Sequence, residues 1–151
     1  MRRILFAAII ALWSPALWAQ TPTGATVSNP TYLPPTKAVT ATIANGAALS
    51  GAVDLGQNRL FAVQMPTTWT AAGLTFQASS DGITYFNVFD DSSVPGTFTE
   101  TTWTAAASQY QVAAQPAKWI GIRWLKIRSG TAGVPVNQGG ARTLTVIGVP
   151  F

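Results

Sequence analysis

Apolar and polar positions alternate along most of the chain beyond residue 38, with the two-residue period of half-buried β-strands. The clearest case is Leu74–Asp90. Leu74, Phe76 and Ala78 share one face of a first run, Phe86 and Val88 share one face of a second, and Ser79-Ser80-Asp81-Gly82 lies between them. Asp-Gly between two such runs predicts a β-hairpin, because glycine accepts the positive φ that a tight turn demands. The same grammar recurs. Val39–Ala44 leads into Asn45-Gly46, and Leu49–Leu55 leads into Gly56-Gln57-Asn58. Arg59–Met65 is apolar almost throughout, as in a central strand, and stops at Pro66. Thr97–Thr104, Ser108–Ala114, Gly121–Ser129 and Thr143–Val149 follow, with a glycine-rich stretch before the last. About nine short strands at this spacing predict an all-β fold, an antiparallel, jelly-roll-like β-sandwich of eight or nine strands. Beyond residue 20 the only helical signal is one short turn over Gln115–Trp119. No fixed-period repeat points to a solenoid or propeller.

One run is ambiguous. In Ile122–Arg128, strict alternation puts Trp124 with Lys126 and Arg128, facing away from Leu125 and Ile127. A bulge at Trp124–Leu125 would turn both apolar residues inward, and this is the expectation here.

The first twenty residues stand apart. Arg2-Arg3, the apolar run Ile4–Trp13, Pro15 and Leu17-Trp18-Ala19 before Gln20 have the layout of a secretory signal peptide, although Leu17 is bulkier than the usual residue at its place. The run is too short for a stable membrane span. A competing reading is an apolar N-terminal helix that anchors the chain in an assembly. Residues 21–38, with Pro22, Pro30, Pro34 and Pro35 among threonines, read as an extended arm or linker. Residues 39–151 are then the β-sandwich domain.

Composition narrows the chemistry. The chain has 151 residues, enough for one domain with a real core. Only 9% are charged, so the polar positions are mostly Thr, Ser and Gln, a surface suited to packing against protein or glycan. There is no Cys and no His, which excludes disulfides, thiolate nucleophiles, histidine acid–base work and most zinc or haem sites. The net charge is +4, but Arg2 and Arg3 lie in the first segment and leave seven basic residues against five acidic ones. That excess is too weak to argue for nucleic acid. No cofactor motif is present.

The acids are Asp54, Asp81, Asp90, Asp91 and Glu100. Asp90-Asp91 invites a paired-carboxylate reading, as a weak calcium candidate or for glycoside hydrolysis, but adjacent strand residues point to opposite faces and turn chemistry is the better explanation. No serine has a plausible base and no glycine loop precedes a helix, so no catalytic residue is assigned. Aromatic rings are better candidates for contact. Trp69, Trp103, Tyr85 and Trp119 could form a platform for sugar rings or anchor a protein interface, against a competing role in the core. Trp69 and Trp103, set among threonines, are expected to be the most exposed. Arg123, Lys126 and Arg128 form a small basic cluster, either a solvated outer face or a contact for an acidic partner.

Two segments resemble known groups. QASSDGITYFNVFD (residues 77–90) is similar to the strand–turn–strand hairpin of discoidin-like and carbohydrate-binding jelly rolls. AVDLGQNRLFAVQMPTTWTAAGLTFQASSDGITYFNVFD, then TAAASQY, then WIGIRWLKIRSGTAGVPVNQGGARTLTV resemble a group of small, mostly uncharacterised proteins of tailed bacteriophages, over about residues 40–147. That resemblance implies a non-enzymatic virion component, a head-decoration or tail-associated β-sandwich whose partners are capsid or tail proteins and further copies of itself. It carries over no functional residue. The alternatives are an exported carbohydrate-binding domain and a virion receptor-binding domain that contacts surface glycans. The expected location is the virion for a phage-encoded chain, and otherwise the periplasm or medium.

Overall fold

The computed structural model describes residues 36–91 and 94–151. The apolar segment 1–20 and the arm up to residue 35 lie outside the described residues. Among the described residues ten strands are formed: β1 Lys37–Ile43, β2 Val53–Asp54, β3 Asn58–Gln64, β4 Leu74–Ser79, β5 Phe86–Asn87, β6 Phe89–Asp91, β7 Phe98–Glu100, β8 Tyr110–Val112, β9 Trp124–Ser129 and β10 Arg142–Pro150. One sheet has the order β1-β10-β3-β8, a second has β2-β9-β4-β5, and β6-β7 form a separate two-stranded ribbon. All pairings are antiparallel. Every connection between successive sheet strands crosses from one sheet to the other, except the β4–β5 hairpin. With the ribbon counted as an insertion between β5 and β8, this is the strand order of a jelly-roll sandwich.

The core lies between the two sheets, as the period-2 pattern requires. Ile43, Leu60, Val63, Leu144 and Val146 come from one sheet, and Val53, Leu74, Phe76, Leu125 and Ile127 from the other. On β10 the buried Leu144 and Val146 alternate with Thr143, Thr145 and Ile147 on the outer face. Each fully buried Leu, Ile or Phe contributes roughly 1.5–3 kcal/mol. β3 is an inner strand, flanked by β10 and β8, which accounts for its nearly continuous apolar sequence.

The hairpin forms with Gln77 opposite Asn87 and Ala78 opposite Phe86. Its loop is longer than a two-residue turn. The Ser79 hydroxyl accepts the Gly82 N–H at 2.9 Å, and Asp81 Oδ1 accepts the N–H groups of Ile83 and Thr84, both at 2.8 Å. Gly82 has φ +74°, and a Cβ there would lie 3.1 Å from the Trp124 ring. Glycine is needed for both reasons.

Several local expectations are corrected. Of Leu49–Leu55 only Val53–Asp54 is a strand; Leu49 and Ser50 make isolated bridges with Arg128 and Ile43 where the chain crosses between sheets. The second hairpin arm breaks at Val88, whose N–H still bonds the Phe76 carbonyl at 2.9 Å while Phe89–Asp91 departs to pair with β7. The bulge is not at Trp124–Leu125. β9 runs in unbroken register with β4, so Leu125 and Ile127 face the core and Trp124, Lys126 and Arg128 face out. Trp124 is instead covered from outside, by Gly82 and by the Arg123 guanidinium 4.2 Å above its ring. The bulge falls in β3, where the register with β10 passes from Ile147–Ala62 to Gly148–Leu60 and leaves Phe61 as the extra residue.

Candidate functional site

After Phe86–Asn87 the chain leaves the second sheet and returns to it through the β6–β7 ribbon. Both ends of the ribbon are tied at Val88, whose N–H donates to Phe76 and whose carbonyl accepts the Thr101 N–H at 2.9 Å. Further along, Pro116 opens a single 3-10 turn, Pro116–Trp119, since its missing N–H costs nothing there. Trp119 at its end is only 4% exposed. Residues of the ribbon and of this turn together line a cleft of about 470 Å³.

The cleft gathers side chains that are far apart in sequence. Trp103 and Trp119 line it from the core side, and Phe89, Asp90 and Asp91 line it from the ribbon. Lys118 Nζ reaches Asp90 Oδ1 at 2.9 Å across it. Thr101 also lines the cleft, is 6% exposed, and its hydroxyl has no hydrogen-bond partner. A buried hydroxyl left unpaired costs about 1–3 kcal/mol.

The aromatic candidates separate into roles. Phe76, Trp103 and Trp119 form a cluster of edge-to-face rings with centroids 4.8, 4.9 and 5.7 Å apart. Each such pair contributes roughly 0.5–1.5 kcal/mol beyond its area. Trp119 is a core residue. Trp103 is half-buried, bridges Leu74 through two backbone hydrogen bonds, and still borders the cleft. Trp69 is half-buried against the core with its indole N–H donating to the Ala72 carbonyl at 3.0 Å. Trp69 and Trp103, expected to be the most exposed of these rings, are half-buried, whereas Tyr110 is 52% exposed. Tyr85 lies on the outside of the second sheet, its ring 4.0 Å from Lys126 Nζ and its hydroxyl donating to the Gly82 carbonyl at 3.3 Å. Burial and the carboxylates of Asp81 and Asp54 push its phenol above the ordinary value.

The basic cluster is engaged within the chain. Arg123 forms a two-pronged ion pair with Asp54, both contacts at 2.9 Å. That pair, with the Gly56 N–H, holds the Asp54 carboxyl down at about 2 and raises Arg123. Asp81 is also held well below the usual range, by the N–H of Ile83 first and then by Ser79 and Thr84. Arg128 is not a solvated contact: it is 8% exposed, and donates to Glu100 at 2.9 Å and to Asn87 at 2.8 Å. Glu100 in turn accepts the Ala132 N–H at 2.9 Å. Among the described residues no group of three or more acidic, His or Cys side chains could hold a metal, and Asp90 of the weak calcium pair is taken by Lys118.

Three exposed phenylalanines lie on or beside the ribbon, and Phe89 is also part of the cleft lining. Phe86, Phe89 and Phe98 are all more than half exposed, with Phe98 at 68%. In the ribbon, Phe89 pairs with Glu100 and Phe98 with Asp91, so the two rings are diagonal neighbours on one face. Sequence reading missed these two rings, Thr101 and Lys118. An exposed Phe in an alternating run carries no mark that distinguishes it from a core Phe, and the cleft is made by long-range packing.

No protein-family model matches the chain, and neither the curated proteins nor the solved structures contain a match to it.

Proposed function

We propose that this chain is a non-enzymatic structural module of a phage particle, a head-decoration or tail-associated protein that works by protein–protein contact. The observation that carries the reading is the ribbon β6–β7, which holds Phe89 and Phe98 out from the sandwich with Phe86 beside its base. Large apolar rings left in water on one projecting element mark a surface meant to be covered. Two further features support it. The outer face of β1 and β10 carries Thr40, Thr42, Thr143 and Thr145 and no charge, so it can lie against a neighbour without stripping water from ions. Jelly rolls also serve as capsid and lectin domains, an analogy of fold alone. In a repeated lattice each weak contact gains from multivalency.

The test is incorporation into particles. Phe98→Ser and Phe86→Ser remove exposed rings and should leave the melting temperature within a degree or two of the parent chain. On this reading they lower the copies per purified particle at least several-fold. Unchanged incorporation of both variants would refute the ribbon as the contact. A second reading, an exported domain or a virion receptor-binding domain that contacts surface glycans, is favoured by one observation, the cleft beneath the ribbon.

A further inference from the structure

We infer that the cleft between the β6–β7 ribbon and the Pro116–Trp119 turn binds a single neutral pyranose ring, a second activity beside protein contact. Three observations converge. First, the cleft volume of about 470 Å³ is that of a small-molecule site, wide enough for one sugar ring with its substituents. Second, its lining is divided as a sugar requires. Trp103 and Phe89 offer apolar surface to the C–H face of a pyranose, while Asp91, Thr102 and Gln115 offer acceptors and donors to its hydroxyls. Third, Thr101 is only 6% exposed, and its hydroxyl, closed off from water in the cleft, is unpaired. Buried hydroxyls are nearly always satisfied, so one without a partner at the lining of a cleft points to a group supplied from outside.

Charge decides the ligand class. Asp90 is neutralised by Lys118 at 2.9 Å, which leaves Asp91 as the one uncompensated charge among the described residues of the lining. An anionic ligand would meet Asp91 and Asp90 without a spare cation. Among the described residues a metal ion would find too few carboxylates. A hydroxyl-rich neutral ring uses the mixed donors and acceptors fully and needs no countercharge.

The test uses the full chain and the methyl glycosides of glucose, galactose, mannose and N-acetylglucosamine, each titrated to about 50 mM with tryptophan fluorescence and ligand-observed NMR; single-ring sites bind in the millimolar range. At least one glycoside should change the Trp103 and Trp119 emission and show saturable contact. Thr101→Val should weaken that binding about tenfold while raising the melting temperature of the free protein, since it replaces an unpaired hydroxyl with a methyl of the same shape. The exposed Gln115→Ala provides a second variant that does not disturb packing, and should weaken binding several-fold. Calcium chloride and methylguanidinium serve as competing ligands. Absence of binding by all four glycosides, binding indifferent to both variants, or binding of only calcium or methylguanidinium would each overturn the inference. None of these outcomes bears on Phe98→Ser incorporation, because Phe98 does not line the cleft.

Discussion

One link between the β6–β7 ribbon and the sandwich is the Glu100–Arg128 ion pair, and its worth can be worked from its surroundings. The side chains are 10% and 14% exposed for Arg128 and Glu100, so water screens them little. Arg128 spends its guanidinium on Glu100 at 2.9 Å and Asn87 at 2.8 Å. Glu100→Gln keeps the shape and the acceptor for the Ala132 N–H but leaves the guanidinium without a countercharge. Breaking a fully buried pair in this way costs 3–5 kcal/mol, and with the residual exposure the expected loss is about 2–4 kcal/mol. Arg128→Met leaves Glu100 with the Ala132 N–H and easier access to water, for a smaller loss of about 1–3 kcal/mol. The double variant should recover much of the sum, with a coupling of about 1–3 kcal/mol, because no charge is then stranded. Urea denaturation reads these values as shifts in midpoint at constant slope, and melting temperatures should fall by about 2–4 °C for each kcal/mol. If both single variants lose less than about 1 kcal/mol, the value of an exposed pair, or if the losses simply add, the ribbon is not held by this contact and the reasoning fails.

Three further outcomes follow from named contacts. Gly130 has φ +83°, and a Cβ there would sit 2.4 Å from the Val134 carbonyl, so Gly130→Ala should cost at least about 3 kcal/mol in urea, whereas Gly51→Ala, with open space around it, should stay within about 0.5 kcal/mol. Trp119→Ala removes the ring that meets both Phe76 and Trp103, and should cost about 3–5 kcal/mol with loss of the near-ultraviolet circular dichroism of the cluster. The Asp54 carboxyl sits at about 2 in the folded chain against an ordinary 3.8, so its contribution is fully present above about pH 4 and is lost as pH falls toward 2. An acid titration of stability should therefore be shallower in Asp54→Asn than in the parent chain, and identical acid limbs would contradict the Arg123 contact.

The sandwich was legible because its cause is local. Leu144 and Val146 alternate with threonines, and Asp81-Gly82 fits a turn whose φ only glycine tolerates, whatever the rest of the chain does. Strand order was not legible, since nothing in the sequence of β10 names β1 and β3 as its neighbours. The error at Trp124 has a simple physical origin. Apolar character alone points inward, but a large ring can find cover on the outer face, here from Gly82 and Arg123. The opposite holds at Phe86, which shares the apolar face of the second hairpin arm with Val88 in the sequence pattern and yet is exposed. The cleft was hidden for another reason. Asp90, Trp103 and Trp119 were each noted as candidates, but their convergence depends on the ribbon folding back at Val88 and on a turn started by Pro116.

The central claim is that the chain offers a rigid jelly-roll surface to other proteins of a phage particle. Quantitative mass spectrometry of particles purified from the strain that encodes it, beside the periplasmic and medium fractions of the same culture, tests this most directly. The account predicts many copies per particle in fixed ratio to a capsid or tail protein. Chain found only in the periplasm or the medium, with none in the particles, would contradict it.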